Sequence, residues 1–372
     1  MLRHTSVAEL QALMNSEPPP GFPEVRQSAA NTGTKTDTPC LYVSTPSPVK
    51  HHQAADLETS LRQWLLATGI VVSRDQGVTA DPHRTVERFL KQHVDLITHA
   101  WGDVPYGAHL QAAAKWLVIT WVIDDHFDDV WIRTSVDQAR TVVSALWDIL
   151  ATQGAPAPDS HPLVRAFADL WEETCSLTDP TWQARYRRYY TDWLETALLN
   201  LEEFELPGKV PFIAQYLNRR DRDGGLLCTA GWIELAYALT LPDEVFHSPQ
   251  LFDLLMRFNH IICWVNDLYS APVEAAAGSG KNLISCYMAY ERLTHAQATA
   301  QVVALCNAEL RTFEFLAGSL HDPDWTEDTC VFIHGLKKFN RALIDWTVAS
   351  RRYQLTAQRT TDVTAATPSQ EK

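Results

Sequence analysis

Asp124-Asp125-His126-Phe127-Asp128-Asp129 places four carboxylates in six residues, directly after the apolar run Trp116-Leu117-Val118-Ile119-Thr120-Trp121-Val122-Ile123. A run that long without a turn residue reads as a buried helix, and carboxylates are among the side chains least often left unpaired in a core. At about 100° per residue, Leu117, Trp121, Asp124, Asp125 and Asp128 share one sector of that helix, with Phe127 on the opposite side. One face thus turns from apolar to acidic along its length. Each like-charge pair a few ångströms apart costs on the order of 3 kcal/mol at an effective dielectric of about 20, so the cluster should either hold protons or bind cations. Hard divalent ions with oxygen ligands answer that need, most often Mg2+ bridging to a phosphate. A bare acidic run is usually a solvated helix end; attachment to an apolar face argues against that here.

The bulk composition narrows the partners. A chain of 372 residues with 46% hydrophobic content and 13 Trp is globular and long enough for a sizeable core. Its formal charge of −14 argues against nucleic acid, whose phosphates select basic surfaces. An anionic substrate would have to be reached through metal ions or a few local arginines. The seven cysteines are scattered singly with no CxxC, which reads as reduced thiols and favours the cytoplasm over a disulfide or zinc framework. No stretch approaches the length of a membrane span, and no signal-type apolar region follows Met1-Leu2-Arg3-His4.

Along the chain, residues 1–54 carry Pro18-Pro19-Pro20, Pro23, Pro39, Pro46 and Pro48 among polar residues, a composition expected to form a mobile arm with at most a short helical turn around 6–14. From Ala55 the pattern is helical. Leu57, Leu61, Trp64 and Leu65 make one stripe, and Val86, Phe89, Leu90, Val94 and Ile97 another, opened by Asp81-Pro82. Breakers recur at 154–158, Pro162, Asp179-Pro180, Pro207-Gly208, Pro211, Pro242 and Asp322-Pro323, with no alternating strand pairs between them. The expectation is a single all-α domain over 55–355, a helical bundle, with a polar, frayed tail over 356–372.

A second unusual stretch is Asn266-Asp267-Leu268-Tyr269-Ser270-Ala271-Pro272-Val273-Glu274. Asn266, Ser270 and Glu274 at i, i+4 and i+8 form one oxygen-bearing stripe on a helix, continuing through Asn259, Ile262 and Cys263. An amide, a hydroxyl and a carboxylate in line can take three sites on a hard cation. Alone, such a stripe is usually a solvated face; together with the first motif it points to a metal site shared by two helices.

These residues resemble a class I terpene cyclase of the microbial type. The resemblance identifies Asp124, Asp125 and Asp128 with the family's Asp-rich motif, and Asn266, Ser270 and Glu274 with its Asn/Ser/Glu triad. Tyr216-Leu217-Asn218-Arg219-Arg220-Asp221-Arg222-Asp223-Gly224 resembles the segment before the family's mid-chain helix break, which implies Arg220 as diphosphate sensor, Asp223 as linker and Gly224 as effector. Arg352-Tyr353 resembles the C-terminal Arg-Tyr pair, with Trp346 one heptad before Tyr353. On physical grounds Arg220 can grip phosphate oxygens in a fork while Asp223, three residues on, orients it. Gly224-Gly225 is where a helix can open. Arg219 and Arg222 read as surface charges.

Two positions depart from the family pattern. Pro272 lies inside the triad and should kink the helix between Ser270 and Glu274. Val273 stands where many members carry a Lys before the Glu, which makes Lys281 a candidate substitute. Helix phase favours Asp128 over Asp129 as the last acid of the first motif.

The resemblance implies a Mg2+-dependent cyclase, with three ions, that ionises an acyclic prenyl diphosphate, C15 farnesyl diphosphate in the first instance. Arg220, Lys281, Arg352 and Tyr353 would hold the diphosphate, and Trp121 and Trp346 would face the carbocation. Alternatives are a monoterpene-type cyclase acting on geranyl or methylated geranyl diphosphate, a chain-elongating synthase, and a non-catalytic helical protein that binds metal or lipid. Elongation would call for a second Asp-rich motif where Asn266 and Ser270 stand. A homodimer is common in the family, although no residue marks an interface.

Overall fold

The apolar run before the acids does form a buried helix, and most of the remaining stripes do the same. The computed structural model describes residues 39–71, 81–131, 135–203, 210–276, 280–319 and 326–350, and within them every regular element is helical. The helices are α1 Ala54–Thr68, α2 Pro82–Ala100, α3 Ala108–Asp125, α4 Val136–Thr152, α5 Pro162–Leu177, α6 Pro180–Glu203, α7 Ile213–Asp223, α8 Leu226–Ala236, the one-turn α9 Asp243–Phe246, α10 Pro249–Ala276, α11 Leu283–Tyr290, α12 His295–Ser319 and α13 Glu327–Ala349.

The breakers act as expected. Asp81 caps α2 by accepting from His83 N at 3.0 Å, with Pro82 in the first turn, where its missing N–H costs nothing. Asp179 accepts from the Thr181 and Trp182 amides before Pro180 opens α6, and Asn282 Oδ1 accepts from Ser285 N at the start of α11. The expected breaks at Pro207-Gly208 and Asp322-Pro323 lie outside the described residues.

The short helix α8 sits at the centre, in contact with α3, α6, α10 and α13. It is apolar nearly all round, the pattern of a helix enclosed by others. Gly231 on it lies against the Tyr186 ring, and Gly335 of α13 lies against Ile233 and Tyr237, so both glycines permit close helix approach. Its buried Glu234 pairs with Arg185 of α6 at 2.6 Å, and Arg185 also reaches the Leu241 carbonyl and Asp243. The long α10 runs past α8 and packs on α12 and α13. α3 and α10, which carry the two candidate metal motifs, therefore border the same central helix.

The expected arm differs from what its composition suggests over its last part. Residues 39–53 lie against α12, α13 and the end of α2. Leu41 and Val43 are buried, Tyr42 N donates to Asn307 Oδ1, and Asn307 Nδ2 donates to the Cys40 carbonyl. Arg341 of α13 donates to the Thr45 carbonyl and Ser47 Oγ, and His51 N to the Thr98 carbonyl. Side-chain and backbone partners on distant helices satisfy this non-helical backbone, which local composition does not reveal. The helical turn expected around 6–14 and the tail over 356–372 lie outside the described residues.

All seven cysteines are free. Among the described residues no helix is long and apolar enough to cross a membrane.

Candidate active site

Asp124 and Asp125 close α3 and are half-buried. Beyond them the chain leaves α geometry: His126–Trp131 is a π turn. Such turns are rare and occur frequently at functional segments. His126 and Phe127 stay inside, the first with Nδ1 2.7 Å from the Val122 carbonyl, the second edge-on to Trp131 at 4.8 Å. Asp128 is exposed whereas Phe127 is buried. The preference for Asp128 over Asp129 assumed α phase, however, and the π turn removes that basis; the Asp129 side chain lies outside the described residues.

The stripe on α10 is in place. Asn266 Oδ1 accepts from Arg220 Nη2 at 3.1 Å, Ser270 is buried, and Glu274 accepts from Asn282 Nδ2 at 2.6 Å. The helix expected to kink at Pro272 carries the proline within it and runs on to Ala276. Pro272 is exposed, so its ring sits on the outer side of the helix while Ser270 faces inward.

The end of α7 packs against α10 and α8. Arg220 Nη1 donates to Asp223 Oδ1 at 3.2 Å, the pairing expected of a linker. Asp223 is itself fixed by Asn200 Nδ2 at 2.6 Å, and its carbonyl accepts from Trp193 Nε1 at 3.0 Å. Gly224 ends α7 and Gly225 takes a left-handed φ of 69°, so the helix restarts as α8 through a glycine that adopts this conformation without strain. A Cβ on Gly224 would overlap Cys263 Sγ and lie 2.7 Å from Asn259 Oδ1, which explains why the break needs glycine there as well. Arg219 pairs with Asn200 and Glu203, and Arg222 with Asp192 and Glu195, as surface charges do.

Lys281 ties these segments together. Burial pushes its ammonium below the usual lysine range, while Asp128, Glu274 and Asp223 pull the other way. One cation is thus felt by the Asp-rich turn, the α10 stripe and the linker aspartate at once. Two polar atoms nearby are buried with no hydrogen-bond partner among the described residues: Ser270 Oγ and Arg220 Nε. Such orphans are costly unless a ligand completes them. Among the described residues no three acidic, His or Cys side chains close on a single point. This donor set, carboxylates on one side and an amide, a hydroxyl and a carboxylate on the other, suits a hard cation that takes its remaining oxygens from a bound phosphate.

Trp121 and Trp346 stack on each other at 5.5 Å and 23°, and His93 lies 4.3 Å from Trp121. Trp346 Nε1 donates to the Gln92 carbonyl at 2.7 Å, joining α13 to α2. The two rings are therefore partners of one another, which their separation in sequence conceals. Arg352 and Tyr353 lie outside the described residues. A solvent groove of about 550 Å³ on α2, lined by His83, Arg84, Glu87, Arg88, Lys91 and Gln92, shares no residue with either acidic motif.

Several residues that position the site carry little signal in sequence. Asp267 is fully buried, accepts the Tyr216 hydroxyl and Leu283 N, and lies 3.6 Å from Arg220; burial raises it to about 7. Its neighbour Asn266 attracts the motif reading, and only a charged residue one position off the stripe hints at a second role. Asn282 is legible as a helix cap, but not as the partner of Glu274. Asn200 sits in a polar stretch with no motif.

Comparison with known proteins gives the family and the fold. Residues 115–312 match the family model described as terpene synthase family 2, C-terminal metal binding, which spans both acidic motifs and the α7–α8 break. The chain belongs to this family. Pristinol synthase of Streptomyces pristinaespiralis is 26% identical over 332 residues, covering 86% of each chain. A (+)-T-muurolol synthase of Roseiflexus castenholzii, named as cyclising (2E,6E)-farnesyl diphosphate, is 28% identical over 258 residues, 67% of this chain and 74% of the relative. The crystal structure of a linalool/nerolidol synthase from Streptomyces clavuligerus superposes with a TM-score of 0.71 at 22% identity, over 82% of this chain and all of that one, and shows the shared fold. The protein is a class I terpene synthase of the microbial type with a metal-binding domain.

Proposed function

We propose that this terpene synthase binds farnesyl diphosphate with three Mg2+ ions, ionises it, and cyclises the cation to a sesquiterpene hydrocarbon or alcohol with release of diphosphate. The observation that supports the reading is Arg220 held between Asp223 at 3.2 Å and Asn266 of the α10 stripe at 3.1 Å, with its Nε and the Ser270 hydroxyl buried without a hydrogen-bond partner among the described residues. The choice of C15 rests on the relatives, among them the T-muurolol synthase named for farnesyl diphosphate.

Asp124, Asp125 and Asp128 would hold ions from the α3 side, and Asn266, Ser270 and Glu274 from the α10 side. Bound there, the ions would offset charge developing on the departing diphosphate. Arg220, aimed by Asp223 and Asn266, grips diphosphate oxygens, and its buried Nε is a donor still to be matched. Lys281 would be a second cationic contact, and the family resemblance assigns Arg352 and Tyr353 to the same diphosphate. The stacked Trp121 and Trp346 form an aromatic wall for the cation, contributing about 0.5–2 kcal/mol each at ordinary cation–π strength. With all seven thiols free, the cytoplasm is the proposed compartment.

Arg220→Ala and Asn266→Ala test the assignment. Each is expected to lose at least about a hundredfold in turnover while the melting temperature stays within a few degrees of the parent, as for removal of a group that stabilises the transition state. Parental turnover in either variant would overturn the site.

A further inference from the structure

The end of α7 is seated on α10 by more than the Arg220 side chain. His260 of α10 is buried with both ring nitrogens facing carboxylates, Nε2 3.1 Å from Asp221 Oδ1 and Nδ1 3.3 Å from Glu309 Oε1 of α12. Its ring lies flat on Trp264, at 4.6 Å and 6°. Arg257 closes the far side by donating to both oxygens of Glu309 at 3.0 Å and pairing with Asp253 at 3.2 Å. The chain Arg257, Glu309, His260, Asp221 alternates in charge and ends on the residue next to Arg220. One residue earlier, Asn259 Nδ2 donates to the Arg220 carbonyl at 3.3 Å. The chain is thus held to α10 at the Arg220 carbonyl and at Asp221, both directly after the side chain that reaches Asn266.

We propose that His260 is a positioning residue for Arg220: backed by Glu309 of α12, it holds Asp221 to α10 and so sets the reach of the guanidinium to the diphosphate. This rests on the reading of Arg220 as the diphosphate grip. No contact of His260 with substrate is required; it acts through Asp221 and the last turn of α7. The arrangement suits such a task, since a ring held by two carboxylates and a stacking partner has no rotational freedom left.

The test is a double-mutant cycle read by binding of inorganic pyrophosphate in the presence of Mg2+, with kcat and KM measured in parallel. His260→Phe keeps the stacking on Trp264 and removes both donors. Asp221→Asn, on a half-buried side chain, removes the charge at the other end of the contact and keeps the fold safe if the first variant is unstable. Each is expected to weaken pyrophosphate binding by about tenfold, the scale of one charge-assisted hydrogen bond lost from alignment. In an Arg220→Ala background neither should weaken it further, because the effect passes through Arg220. Losses that add in that background, or no loss in the single variants while Arg220→Ala weakens binding, would overturn the positioning role and leave the diphosphate reading standing. Parental pyrophosphate affinity in Arg220→Ala itself would overturn both.

Discussion

Replacing Gly224 with alanine tests how the helix break is built. The backbone there has φ −65° and ψ −8°, which any residue adopts, so conformational freedom is not what this glycine supplies. Space is. A Cβ would overlap Cys263 Sγ, lie 2.7 Å from Asn259 Oδ1 and 3.0 Å from the Arg220 carbonyl, when real Cβ atoms essentially never come within 3.0 Å. Either α7 moves off α10 or the Asn259–Arg220 hydrogen bond breaks. Overpacking of this kind costs about 1–3 kcal/mol, and a lost buried hydrogen bond adds about 0.5–1.5 kcal/mol. At about 2–4 °C per kcal/mol for a large domain, the melting temperature should fall by roughly 3–18 °C. Because Arg220 is carried by the displaced turn, turnover well below the melting temperature should drop by about a hundredfold, the usual consequence of a shift near 1 Å in a positioned group. Gly225→Ala is the control: its φ of 69° costs about 1–2 kcal/mol, but the nearest atom to its Cβ is 3.9 Å away, so α7 should not move. Calorimetry and a pyrophosphate-release assay read the two quantities separately. If Gly224→Ala melts and turns over like the parent, the packing account of the break is wrong.

Other outcomes follow from the same geometry. Gly102→Ala places a Cβ against the Val49 carbonyl and should release residues 39–53 from the body, detected as new protease sensitivity in that segment with a stability loss of about 1–3 kcal/mol. Arg185→Met leaves Glu234 without its cation in the core and should cost about 3–5 kcal/mol by urea unfolding, whereas Arg185→Met with Glu234→Leu should recover most of it. His260, held charged up to about 9 by Asp221 and Glu309 despite its burial, contributes stability that is whole below pH 6.5 and is lost as pH rises through 9; urea midpoints measured across that window should fall in the parent and stay level in His260→Phe. Asp103 works in the opposite sense. Although burial opposes its charge, Lys338, His334 and Tyr237 lower it to about 2, so its contribution is present above pH 3.8 and lost as pH falls through 2; Asp103→Asn should flatten the acid limb of the stability curve, modestly because the pair is partly exposed.

Most of the architecture is legible in the sequence because it rests on local signals. Asp81-Pro82 and Asp179-Pro180 start helices through their own caps, and Leu57, Leu61 and Leu65 repeat with the helical period that buries them. Asn266, Ser270 and Glu274 were legible as a stripe for the same reason. What escaped depends on contacts far apart in the chain or on backbone register. The π turn after Asp125 changes the hydrogen-bond step without changing composition, and so defeats an argument from α phase. Leu41 and Val43 look like isolated apolar residues in a Pro-rich arm, yet they are buried; the segment that carries them is held through Tyr42 and Thr45 by Asn307, Glu314 and Arg341, more than 260 residues away. The stacking of Trp121 on Trp346 joins α3 to α13, a pairing that no local spacing announces.

The most direct measurement is incubation of the purified protein with C10, C15 and C20 prenyl diphosphates, with and without Mg2+, under an organic overlay analysed by gas chromatography and mass spectrometry. The account predicts a cyclic C15 hydrocarbon or alcohol from farnesyl diphosphate, formed only with the metal and accompanied by stoichiometric pyrophosphate. A longer prenyl diphosphate on addition of the C5 homoallylic partner, or no product from any of the three by a folded protein that binds Mg2+ and pyrophosphate, would contradict it.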